Sequence, residues 1–404
     1  VSAPTSSPAT PLAVEPFRGG GRWLVVGGLL GVLFLIVTLI GVAIDPKETY
    51  YSYLVAFAYW GGIAMASVIL LMIFHATHAR WMTVLRRPVE AMASSVWIFL
   101  LLVIPVILGM KEIYSWVDPS PDLGKEALKL LAHKAPWLNR GFFIVRAFGY
   151  LLIAGFFAWR LSSWSQRQDK EGGTDLLARA RRLSSGGLPF IALAITFAAF
   201  DWLMSLNPLW FSTIFGVYYF AGSFVSALSV LAIATHYGRA RNVFSGVLNV
   251  EHTHNIGKLM LAFVCFWTYV AFSQLLLIWI AGIPEEIPFY ITRFKEGWAW
   301  MGVLLIFGNF FIPFGALLSR SLKRNPRKLA GVAVWILLVH YIDIFWLAMP
   351  TLHPEGFSMH WTNFTAFFGV GLVAVAFGVS RLRGKLPVPV KDPYLAESIR
   401  YRQP

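Results

Sequence analysis

Cysteine is nearly absent from this chain: Cys265 is the single one among 404 residues. One thiol inside an apolar run cannot build an iron–sulfur cluster or a covalent c-type haem site, both of which need several. Centres of those kinds have to sit on other chains. Charge is scarce as well, at 13% of residues, where soluble domains carry about a quarter. Acidic residues are the scarcer sign, 20 against 34 basic ones, and the formal net charge is +14. A surplus of that size suits nucleic acid when it forms one patch or stripe. Here the basic residues lie in short clusters between apolar runs, the pattern of membrane topology, which argues against a nucleic-acid partner. The opening VSAPTSSPATPLAVEP lacks the basic n-region of a signal peptide, and the apolar run behind it is too long for a signal core. Residues 1–21 read as a mobile tail before a true first span.

Against those shortages stand 57% hydrophobic residues and a mean hydropathy of +0.64, which describe an all-α polytopic membrane protein. A helix crossing a hydrocarbon core of about 30 Å needs about 20 apolar residues, and runs of that length recur about ten times. They fall at 22–44, 52–77, 89–110, 141–164, 187–207, 212–236, 256–281, 297–319, 329–350 and 361–380. Clusters such as Arg80, Arg86 and Arg87, or Arg320, Lys323 and Arg324, all fall on one side. Positive-inside topology makes that side cytoplasmic, with both termini there. The opposite loops, DPKETYYS, NPLWFS, AGIPEEIPFYITRFKEG and PTLHPEGFSMHW, are acidic, aromatic or nearly neutral. Loop 111–140 departs from them, with Lys111, Lys125, Lys129, Lys134 and Arg140 beside Glu112, Asp118, Asp122 and Glu126. Its KEALKLLAHKAPW reads as a short amphipathic helix on the surface.

Self-comparison shows a weak internal duplication. AYWGGIAMASVILLMIFHATHAR of the second span aligns with YYFAGSFVSALSVLAIATHYGRAR of the sixth, and Asp201 leads to Pro208 at the spacing at which Asp343 leads to Pro350. Spans 2–5 (52–211, with outer loop 111–140) and spans 6–9 (212–350) then form two four-helix bundles. The first span (22–51) and the tenth (351–384) flank them, and 385–404 is a cytoplasmic tail. An even number of helices per repeat gives the copies one orientation, unlike the inverted repeats common in secondary transporters.

Charged groups inside spans cost roughly 3 kcal/mol or more and face interiors or cavities. Asp201 lies about 21 Å and Asp343 about 20 Å from the cytoplasmic ends of their spans, so both sit nearer the outer face. Arg146, about 7 Å below the outer surface on the antiparallel fourth span, is the structural ion-pair candidate for Asp201. In the second repeat Gly302 aligns with Arg146, so Asp343 loses that cation. It shares a helix face with His340, and the eighth span offers Asn309. Burial without a counter-ion favours the neutral carboxyl, which makes Asp343 with His340 the sharper candidate for carrying protons. A His and Asp that merely satisfy each other is the plainer alternative. On the cytoplasmic side VEHTHNIGK gathers Glu251, His252, His254 and Lys258. These read as a proton-collecting funnel, a headgroup site, or a polar helix start with Asn255 near the cap. His-x-His spacing disfavours a metal. His75, His78 and His236 are shallow and His340 is alone in mid-membrane, which disfavours a b-haem. Thr268, Tyr269, Ser273 and Gln274, with kinks at Pro105 and Pro313, would line a hydrated path or serve as ordinary interhelical hydrogen-bonding groups.

The strings FDWLMSLNPLWFSTIFGVYYFAGSFVSALS, NIGKLMLAFVCFWTYVAFSQLLLIWIAGIPEE and LPVPVKDPYLAESI closely resemble the ActF family, membrane subunits of bacterial alternative complex III. The resemblance runs over nearly the whole chain after the tail, and the family is similar to ActC and, more distantly, to the NrfD and polysulphide-reductase membrane subunits. It implies two four-helix bundles with flanking helices, in the bacterial cytoplasmic membrane. It also implies a complex that oxidises quinol and passes electrons through iron–sulfur and multihaem cytochrome c subunits to a carrier or a terminal oxidase. An ActC-like subunit, those redox subunits and lipids are the implied partners. The family's better-supported quinol site belongs to ActC, while ActF is described both as quinone-binding and as part of a proton path. No cofactor is expected on this chain, with quinone as the one ligand left open. Asp201 and Asp343 are the positions to carry over to a proton path. A quinol-binding subunit and a free-standing transporter are the alternative readings.

Overall fold

Lipid offers no hydrogen bonds, so each apolar run has to close its own backbone ladder, and helix is the way an open chain does so. The structure, a computed structural model, describes residues 14–120, 124–244, 246–295 and 297–402. Most of the expected N-terminal tail (1–13) and Asp122 of loop 111–140 lie outside them. Among the described residues there is no strand, and ten helical segments are long and apolar enough to cross a membrane. Spans 1 to 10 are Gly21–Gly41, Pro46–Ala76, Arg80–Leu108, Arg140–Glu171, Asp175–Leu206, Phe215–Ala240, Val250–Ala281, Trp298–Leu318, Pro326–Leu352 and Trp361–Leu382. The chain is an all-α polytopic membrane protein.

Several spans run beyond their apolar stretch because polar caps carry the helix on into the interface. Asp45 accepts from the Glu48 N–H ahead of span 2, with Pro46 in the first turn. Asn139, Asn249 and Asn325 do the same for spans 4, 7 and 9, as short polar side chains at N-caps do. Two spans are irregular. Span 3 breaks into 3₁₀ turns at Arg80–Leu85 and Ser95–Ile98, with Pro105 in its last stretch. Span 8 widens to a π-helix over Ile306–Phe311, just before Pro313, whose missing N–H and ring disturb the preceding turn.

Span 2 is the axis of the molecule. It packs on spans 3, 5, 6, 9 and 10, and spans 6 and 9 pack on each other. Two tyrosines that the self-comparison aligns hold that centre in different ways. The Tyr219 hydroxyl of span 6 donates to Ala58 O of span 2 (2.5 Å), and Tyr59 of span 2 donates to Leu337 O of span 9 (2.9 Å). Gly62 lets span 6 come close: a Cβ there would lie 2.4 Å from Ser223 Oγ and 2.7 Å from the Tyr219 hydroxyl. Spans 1 and 10 pair with each other and lie against spans 2 and 3. At that pair Gly31 and Gly369 admit the opposing backbone, and Thr38 donates to Thr365 (2.8 Å).

The basic loops gather at one end, called here the basic face. There the DPYLAESI stretch acts as a strap. Arg86 pairs with Asp392 (2.6 Å), Ser398 donates to Trp81 O (2.8 Å), and Asn249 donates to Tyr401 O (2.9 Å). The start of span 3 is thereby tied to the start of span 7. At the opposite end His353 bridges Glu48 (2.7 Å) and Glu355 (3.2 Å). Gly62→Val should lower stability by about 1–3 kcal/mol through overpacking of spans 2 and 6. Thermal unfolding in detergent, set against Gly27→Val at a site with open space, checks it.

Candidate functional site: two buried aspartates

The two acids are fully buried, and their surroundings differ in kind. Asp201 is met by four donors. Arg146 engages it bidentately through one edge of the guanidinium, Nε to Oδ2 at 2.8 Å and Nη2 to Oδ1 at 2.9 Å, while Tyr150 donates to Oδ2 (2.7 Å) and Trp137 Nε1 to Oδ1 (3.1 Å). The guanidinium in turn stacks on Trp137 and Phe142, its carbon 4.1 and 4.2 Å from the ring centroids, and Nη1 donates to Trp137 O (2.9 Å). Tyr150 stands one helical turn after Arg146, so both reach Asp201 from one face of span 4. Trp137 comes from the end of loop 111–140. The surface helix Lys125–Lys134 positions it, with the Lys134 ammonium on Pro208 O (2.6 Å). A carboxylate held by a bidentate guanidinium and two neutral donors has its lone pairs filled.

Asp343 has neutral donors only. The Tyr218 hydroxyl of span 6 donates to Oδ1, and Trp267 Nε1 of span 7 to Oδ2 at 3.2 Å. No arginine or lysine among the described residues forms an ion pair with it. His340 Nδ1 stands 3.4 Å from Oδ2, one turn back on the same helix. Both ring nitrogens of His340 are enclosed, and neither has a hydrogen-bond partner among the described residues. The imidazole lies 5.4 Å from the Tyr59 ring, and its place is set by Gly222, where a Cβ would fall 2.6 Å from Cε1. Buried polar nitrogens without partners are rare enough to need a reason. A carboxyl and an imidazole at this spacing, with a tyrosine hydroxyl on the far oxygen, form a set that can pass a proton.

Asn309 does not join this set. It sits in the π-turn of span 8, buried, and its amide nitrogen has no hydrogen-bond partner among the described residues. The turn instead engages span 9 nearer the basic face, through Trp335 Nε1 on Gly308 O (2.9 Å) and Val339 against Gly308. At the basic face the group Glu251, His252 and His254 is a helix start. Asn249, not Asn255, is the cap: it accepts from the Glu251 and His252 N–H groups, and His252 Nδ1 accepts from the Asn249 N–H (3.1 Å). Glu251 is paired to Arg324 (2.8 Å), with His254 at 3.6 Å. Of the polar residues on span 7, Tyr269 is 66% exposed on the outer surface of the bundle, and Thr268 donates to Val264 O. Of Thr268, Tyr269, Ser273 and Gln274, only Gln274 is buried, donating to the Tyr290 hydroxyl (3.0 Å).

The sequence reading missed Arg293. It lies in the short helix Pro288–Arg293 between spans 7 and 8, is 1% exposed, and has no acidic partner among the described residues. Its guanidinium donates to Trp346 O (3.2 Å), Leu347 O (2.5 Å) and Phe289 O (2.8 Å), and lies 3.5 Å from the Phe289 ring centroid. Pro350 explains the arrangement. It stands inside span 9 and has no N–H to give the Trp346 carbonyl one turn back. Arg293 supplies that donor, and its charge meets the negative end of the helix dipole. Burial lowers its pKa to about 9 from the usual arginine value. The first repeat needs no such group, because regular helix ends at Trp202 and Pro208 falls outside it. The signal available in sequence was Pro350 inside an apolar run with an arginine in the facing loop.

Among the described residues no three His, Cys, Asp or Glu side chains gather as metal ligands. Comparison with protein-family models finds no match, and comparison with curated proteins finds none either.

Removing Arg146 alone strands a buried carboxylate, so Arg146→Met should cost about 3–5 kcal/mol. Adding Asp201→Leu should restore most of that loss. Thermal unfolding of the single and double variants checks this; equal stability of the two would show that the pair is not the stabilising element. Arg293→Met should lower stability by about 1–3 kcal/mol through the unmet Trp346 carbonyl, with unfolding of Arg293→Lys as the comparison.

Proposed function

We propose that this chain is a non-redox membrane subunit of a quinol-oxidising respiratory complex of the alternative complex III kind, contributing a proton path and a scaffold for energy coupling. Two supports are independent. The long strings noted above resemble the ActF family, and one polar site in the interior is built for proton exchange.

The observation that carries the proton path is the Asp343–His340 pair, buried and unmatched by a cation, with both imidazole nitrogens unengaged among the described residues. The Asp343 carboxyl is held by a hydroxyl and an indole, with no fixed positive charge against it, whereas Asp201 is held by a guanidinium. Asp343 and His340 are therefore the exchanging groups, Tyr218 orients the carboxyl, and Asp201 with Arg146 is a structural anchor. In this reading the iron–sulfur and haem centres belong to partner chains, with an ActC-like subunit beside this one. The membrane is the bacterial cytoplasmic membrane, and the basic face is cytoplasmic. Exposed aromatic residues such as Trp279 and Trp300, 77% and 78% exposed on spans 7 and 8, leave that side free for lipid or a neighbouring subunit.

The intact complex reconstituted in proteoliposomes provides the test. Asp343→Asn should cut proton movement per quinol oxidised by about tenfold or more, as expected for a relay group within a span. Asp201→Asn should leave that ratio unchanged while lowering the unfolding temperature. Wild-type proton movement in Asp343→Asn would refute the path.

A further inference from the structure

At the basic face a cleft of about 1170 Å³ opens between spans 2, 3, 6 and 10 and the segment leading into span 1. It is larger than most small-molecule pockets, which run to about 1,000 Å³. Its walls are apolar, with Ile63, Met92, Val230, Ile233 and Val375 facing the space. The leading segment is fixed beside it: the Phe17 N–H donates to Lys385 O (2.8 Å), and the Gly384 N–H donates to Phe17 O (2.9 Å).

Its length matches one leaflet. Leu382 lines the mouth, and Trp60, the deepest wall residue on span 2, lies against Gly371. From 371 to 382 is eleven residues, about 16 Å at 1.5 Å per residue. Half of a hydrocarbon core of about 30 Å is about 15 Å. A chain entering at the basic face and ending at Trp60 would run to the bilayer midplane.

The rim and the floor differ in the chemistry they offer. Arg18 and Arg241 line the rim, and neither has a carboxylate partner among the described residues. On the same face Arg80, Arg86, Arg87, Arg167 and Arg324 are each ion-paired. Glu15 is the single acid at the rim, and it is exposed. Among the described residues the floor has no acid and no imidazole. Its polar groups are already engaged: Ser67 on Ile63 O, Ser95 on Met92 O and Trp60 Nε1 on Phe367 O. A quinone ring at that floor would find no carboxyl or imidazole among the described residues to exchange protons with, while acyl chains need none.

We propose that this cleft holds one anionic phospholipid, its phosphate between Arg18 and Arg241 and its acyl chains along spans 2, 6 and 10. The site does not depend on the function proposed above. For the test, the full chain is incorporated into nanodiscs of mixed phosphatidylglycerol and phosphatidylethanolamine and then released into mild detergent. Native mass spectrometry then identifies the lipid that stays bound. One phosphatidylglycerol per chain is expected, held about fivefold less tightly for each of Arg18→Gln and Arg241→Gln. Ala234→Phe, which fills the wall from span 6, should abolish retention. The arginine variants change exposed side chains, so the test stands even where Ala234→Phe fails to fold. Retention of no phospholipid, of phosphatidylethanolamine or a quinone in its place, or wild-type binding by both arginine variants would overturn the proposal.

Discussion

Inside a bilayer no solvent stands ready to meet a donor or acceptor, and every feature of this chain follows from where its polar groups are met. Backbone groups are met within helices. Where a proline breaks that ladder, another residue supplies the donor, as Arg293 does for the Trp346 carbonyl above Pro350. Tyrosines at the centre give their hydroxyls to neighbouring spans, which fixes the depth of one helix against the next. Asp201 is the strongest case, a carboxylate whose four donors come from span 4 and the adjoining outer loop.

That constraint makes the exception informative. Asp343 occupies the repeat position of Asp201 but has two neutral donors and a histidine with no hydrogen-bond partner among the described residues. At the two positions that the self-comparison aligns, one acid is held against a guanidinium and the other among neutral donors. A buried cation in the second half, Arg293, lies at a helix end, where it serves backbone carbonyls. One repeat thus stabilises through an ion pair and the other through a capped helix break.

Apolar run length found all ten spans, since it is a local property of the chain, but not the ends of helices that run on past the apolar stretch, as span 5 does back to Asp175. The level of Arg146 opposite Asp201 was legible as well, because antiparallel neighbours with a known rise per residue can be matched in depth. The role of Trp137 was hidden, since it depends on the surface helix of loop 111–140 turning back onto the bundle. His252 as a capping residue was hidden in the same way, because His at that position has several equally regular uses.

By itself, then, the sequence determined a ten-span helical membrane protein with its basic loops at one end and two acids in its interior. Hydropathy, charge and spacing are read one residue or one helix at a time. Tertiary structure decided what those acids face: a guanidinium, an indole and a phenol around Asp201, a phenol, an indole and an unbonded imidazole around Asp343. It also decided that a leaflet-deep cleft opens beside arginines without a carboxylate partner among the described residues. These are contacts between segments far apart in the chain, fixed by rotation and packing of helices, and no local pattern records them.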